Sequence, residues 1–83
     1  MHCTATSTKF IALLDDIQES GVSFDDGLTR LRNTVEREWG MTLEVLPENE
    51  PLSDNPGFVA TVNGISAFIS KRYDDVDEFY YEA

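Results

Sequence analysis

The groups in this chain most able to do chemistry are carboxylates, and they come in runs. Asp15, Asp16, Glu19, Asp25 and Asp26 form a first cluster, Glu44, Glu48, Glu50 and Asp54 a second, and Asp74, Asp75, Asp77, Glu78 and Glu82 a third. Three uses of such groups are open: acid–base catalysis, cation binding, and recognition of a basic surface. A catalytic acid needs an apolar pocket to raise its pKa, whereas these carboxylates sit in mutually acidic, polar stretches. Calcium would want a D-x-D-x-D-G loop with a distal Glu, and the run from Asp74 to Glu78 does not supply one. His2 and Cys3 are the only His and Cys, so a zinc set cannot be completed and no nucleophile stands beside a base. Catalytic residues, metals and cofactors are therefore not expected, and recognition is left.

The charge balance says of what. Sixteen Asp and Glu against six Lys and Arg give a formal charge of −10 on 83 residues, above the magnitude of about 2–8 that suits a small domain. Such a field repels nucleic acid and anionic membrane and attracts basic partners. The basic residues are segregated, with Arg30, Arg32 and Arg37 on one helical stretch and Lys71-Arg72 adjacent. Tyr73, Tyr80 and Tyr81 lie among the acids of the third cluster, and aromatics beside carboxylates suit an interface that meets Arg and Lys. The candidate partner-binding set is Asp15, Asp16, Glu19, Asp25, Asp26, Asp74, Asp75, Asp77, Glu78, Tyr80, Tyr81 and Glu82.

These residues must be positioned by one domain, because the length allows a single modest core. Residues 1–7 read as a frayed lead-in with a Thr/Ser cap near Thr6 to Thr8. Phe10, Leu13, Leu14 and Ile17 then follow the spacing of an amphipathic helix that Gly21 ends. Ser23 is placed to cap a second helix, with Asp25 and Asp26 in its first turn where the helix dipole favours them. Phe24, Leu28, Leu31, Val35 and Trp39 form its apolar stripe and Gly40 its stop.

Met41 to Leu46 alternates as a strand. Asn63-Gly64 between two alternating runs marks a hairpin, pairing Val62 with Ile65 through Phe58 with Ile69. Its apolar face is Phe58, Ala60, Val62, Ile65, Ala67 and Ile69. Residues 47–56 hold all three prolines and read as an acidic loop, and residues 73–83 as an acidic aromatic tail. In that tail Val76, Phe79 and Tyr80 are spaced for a short last helix. The expected fold is α+β: a helical hairpin on a three-stranded antiparallel sheet, in the order α-α-β-β-β with a short C-terminal element. On the sheet's other face Val59 and Phe68 pair and need a cover, from the aromatic tail, a partner protein or a second copy.

The longest apolar run, Phe10 to Leu14, is far short of a membrane span, and the start of the chain has neither a basic nor a continuous apolar segment. With a lone cysteine, the cytoplasm is the expected compartment, that of a host cell if a phage encodes the chain. In size, charge and absence of motifs the chain resembles the small acidic inhibitors that phages encode against host defence, anti-CRISPR proteins and other DNA mimics among them. The resemblance implies steric and electrostatic blocking of a nucleic-acid-binding nuclease or surveillance complex, with the first and third acidic clusters as the contact. Two other expectations stand beside it. One is a homo- or hetero-oligomeric interaction module, a homodimer included, built on the Val59 and Phe68 face with acid serving solubility. The other is a domain adapted to high salt.

Overall fold

A computed structural model describes residues 3–47, 57–73 and 75–82. They form helices α1 (Cys3–Glu19) and α2 (Phe24–Asn33), a π-helical turn (Thr34–Glu38), and strands β1 (Leu43–Pro47), β2 (Gly57–Val62), β3 (Ile65–Tyr73) and β4 (Val76–Glu82). The Asn63-Gly64 turn sets the sheet's register. Asn63 has φ 51° and Gly64 φ 82°, the left-handed pair that a type I′ turn requires. Val62 pairs with Ile65, Ala60 with Ala67 and Phe58 with Ile69, as the alternation predicts. β1 joins on the other side of β2, Leu43 opposite Val62 and Val45 opposite Ala60.

The class is α+β, but the sheet has four strands in the order β1-β2-β3-β4, not three. The expected short last helix is instead β4, antiparallel to β3, with Ile69 opposite Tyr81 and Ser70 opposite Tyr80. Two physical causes favour the strand. Val76, Phe79, Tyr80 and Tyr81 are β-branched or aromatic residues that fit a pleated surface, and without β4 the outer backbone groups of β3 would have no ladder partner. Pro47, expected in the acidic loop, ends β1, and the rest of that loop lies outside the described residues. α1 begins at Cys3, so residues 3–7 are helical and not a frayed lead-in. No Gly or Pro interrupts that stretch, and the proposed Thr/Ser cap falls inside the helix.

Both helices pack on the inner face of the sheet. Phe10, Leu14, Ile17, Phe24, Leu31 and Val35 meet Leu43, Ala60, Val62, Ala67, Ile69 and Phe79 in one buried cluster. The Phe24 ring stacks on Phe58 at 5.7 Å and on Phe79 at 6.2 Å. Ser23 caps α2 as expected, its side chain accepting from the Asp26 N–H. The end of the apolar stripe is wider than an α-helix: the Trp39 N–H donates to the Thr34 carbonyl at 3.0 Å, a five-residue step. Gly40, at φ 67°, then turns the chain into β1.

Candidate acidic interface

The first and third acidic clusters meet along the outer edge of β4. An edge strand leaves alternate N–H groups unpaired, and here the helical hairpin covers them. The Phe79 N–H donates to the Val22 carbonyl at 2.9 Å, and the Tyr81 N–H donates to Gln18 Oε1 at 3.0 Å. The Tyr81 hydroxyl donates to Asp15 Oδ1 on α1. Asp77 accepts from the Phe24 N–H at 3.2 Å, so the first turn of α2 receives one acceptor from Ser23 and a second from β4. The favourable field of the helix N-terminus acts on Asp25, Asp26 and Asp77 together.

These contacts bring Asp15, Asp16, Glu19, Asp25, Asp26, Asp75, Asp77 and Glu78 to one side of the molecule, half of its sixteen carboxylates, while Glu82 shares the face of Tyr80 opposite Phe68. All but Glu78 are exposed. Arg72 Nη1 is 3.5 Å from Glu78 Oε2, and Arg30 Nη1 donates to Ser20 Oγ at 3.4 Å. Tyr81 reports the local field. Its pKa is pushed up from 10.0 to about 12, first by the hydrogen bond to Asp15, then by burial and by the charges of Asp15 and Glu19. Each makes loss of the phenolic proton harder.

The remaining candidates are dispersed. Tyr80 points to the other face of the sheet from Phe79 and Tyr81, by strand alternation. Asp74 lies outside the described residues, as do Glu48, Glu50 and Asp54 of the second cluster. The described acid of that cluster, Glu44, is exposed on β1 at the far edge of the sheet. Of the aromatic tail expected to cover Val59 and Phe68, only Tyr80 lies on their face, diagonal to Phe68; Phe79 is buried in the core on the inner face and Tyr81 lies on that same side. Lys9 and Arg32 are engaged elsewhere, with Lys9 Nζ 4.6 Å above the Trp39 ring and Arg32 Nη1 3.4 Å from Glu36 Oε2.

Two residues that hold the edge together escape a reading of the sequence. Gln18 carries no local signal for its role. Gly27 does, since a glycine on the apolar side of a helix marks close approach, and a Cβ there would lie 2.5 Å from Phe79 Cδ2. A shallow, open depression of about 420 Å³ runs along α1 past Ser7, Thr8, Ile11, Ala12 and Asp15. Among the described residues no three His, Cys, Asp or Glu side chains are grouped to hold a metal ion, and no helix is long and apolar enough to cross a membrane. Comparison with protein-family models, curated proteins and solved structures finds no match to this chain, so the acidic edge is interpreted from its own chemistry.

Proposed function

We propose that the protein is a small non-enzymatic inhibitor whose acidic edge occupies a basic, nucleic-acid-binding surface of another protein, in the manner of an anti-CRISPR or similar anti-defence DNA mimic. The observation that carries this reading is the meeting of two acidic clusters, remote in sequence, on one edge held by hydrogen bonds between Asp15 and Tyr81 and between Asp77 and Phe24. A fixed array of carboxylates can take the place of a phosphate row, and a net charge of −10 steers it toward a cationic groove.

Neutralisation must spare the residues that hold the fold, which sets aside Asp15, Asp77 and Glu78. The exposed Asp16, Glu19, Asp25 and Asp75 are changed together to Asn and Gln. Immobilised wild-type protein, passed through lysate of a host cell, should retain a nucleic-acid-binding protein that salt or competing DNA or RNA releases. The variant, folded by circular dichroism, should retain it roughly tenfold less or worse, a loss of about 1.4 kcal/mol or more. Equal retention by the two proteins would remove the acidic edge as the contact.

A further inference from the structure

We infer that the face of the sheet opposite the helices is a second docking surface, fitted to a basic amphipathic helix of a partner protein. The inference is independent of the acidic edge and stands on different residues. Register and alternation put Leu46, Val59 and Phe68 side by side in one row across β1, β2 and β3, with Glu82 of β4 at its end. Tyr80 lies diagonal to Phe68, within reach of an aromatic ring. The neighbouring row on β2 and β3 is polar, Thr61 and Ser66 sharing a hydroxyl hydrogen bond of 3.0 Å. The helices are on the opposite face; Leu46 is 53% exposed and Val59 and Phe68 are half-buried. With strands about 4.8 Å apart, Leu46 to Phe68 spans about 10 Å, close to the diameter of one helix of about 10–12 Å.

Charge selects the occupant. The apolar row is flanked by Glu44 on β1 and Glu82 on β4, both exposed, while the nearby Arg72 is engaged with Glu78. A second copy would set these carboxylates, and a net −10, against their like. A helix with an apolar stripe between flanking Lys or Arg satisfies both the row and the carboxylates beside it, in the helix-in-groove mode of recognition.

The probes are three synthetic helical peptides of about four turns: one with Leu at i, i+3, i+4 and i+7 flanked by Lys, one with Glu for Lys, and one with Ser for Leu. Titration into the labelled protein, followed by amide chemical shifts, should show saturable binding of the first alone, with the shifts centred on Leu46, Val59 and Phe68. Leu46→Thr, at an exposed site, and Phe68→Ser should each weaken it roughly tenfold or more. Neutralising Asp16, Glu19, Asp25 and Asp75 should change it less than about threefold. Absence of saturable binding, equal binding of the Ser peptide, or indifference to Leu46→Thr would overturn the proposal. So would a dimer in sedimentation that Leu46→Thr dissociates, since the face would then belong to a second copy.

Discussion

Tyr81 shows how much one hydroxyl contributes here. Its O–H donates to Asp15, and this bond ties β4 to α1. Ionising the phenol would break the hydrogen bond to Asp15 and set a partly buried phenolate against Asp15 and Glu19, which is why its pKa rises to about 12. A folded-state pKa above the ordinary value of 10.0 means that the protonated form is favoured by folding. The stabilisation is complete below about pH 10 and is lost as pH climbs through about 12. A spectrophotometric titration of tyrosinate should show a late component that is lost in Tyr81→Phe. Asp15→Asn should bring that midpoint down toward 10.0, because the neutral amide no longer repels the phenolate. An unmoved midpoint would mean that Asp15 is not the residue holding the proton.

At the scale of elements, the contact between α2 and β4 decides the architecture. A Cβ on Gly27 would stand 2.5, 2.6 and 2.7 Å from Phe79 Cδ2, Cγ and Cβ, with no flexible side-chain end to give way. Gly27→Ala gains about 1 kcal/mol of helix propensity, but overpacking of this kind costs about 1–3 kcal/mol, so the variant should be less stable in urea denaturation. Pairing it with Phe79→Leu should recover part of the loss, and a Gly27→Ala protein as stable as wild type would place the helix farther from the strand. The hairpin register, the Ser23 cap and the α2 stripe are legible in the sequence because each is encoded within a few residues. β4 is not, since Val76, Phe79 and Tyr80 fit helical spacing while Phe79 and Tyr81 fit strand alternation, and only the distant β3 edge chooses between them. The site inherits that ambiguity: the acidic clusters are plain in the sequence, but their meeting depends on Tyr81 lying in a strand beside Gln18 and Asp15. The π-helical turn is hidden for another reason, because Val35 and Trp39 keep a four-residue step whichever way that turn is wound.

For the molecule as a whole, the same charge acts in opposite directions on stability and on recognition. A net charge of −10, with half of the sixteen carboxylates gathered along the β4 edge, repels itself in the folded state, and the repulsion is relieved as salt shortens the screening length from about 10 Å at 0.1 M to about 3 Å at 1 M. Thermal melting followed by circular dichroism should therefore give a Tm that rises with sodium chloride, most steeply at the low end. The chain should nonetheless be folded at low salt, because its apolar cluster, from Phe10 and Leu14 to Ile69 and Phe79, is fully buried and apolar burial does not require an electrolyte. Unfolding below molar salt would instead favour adaptation to a saline cytoplasm. Retention of a cationic partner should fall over the range in which Tm rises, since screening weakens attraction and self-repulsion alike. A Tm that rises without any loss of partner retention would separate the two effects, and the acidic edge would then be a solvated surface with the recognition carried elsewhere.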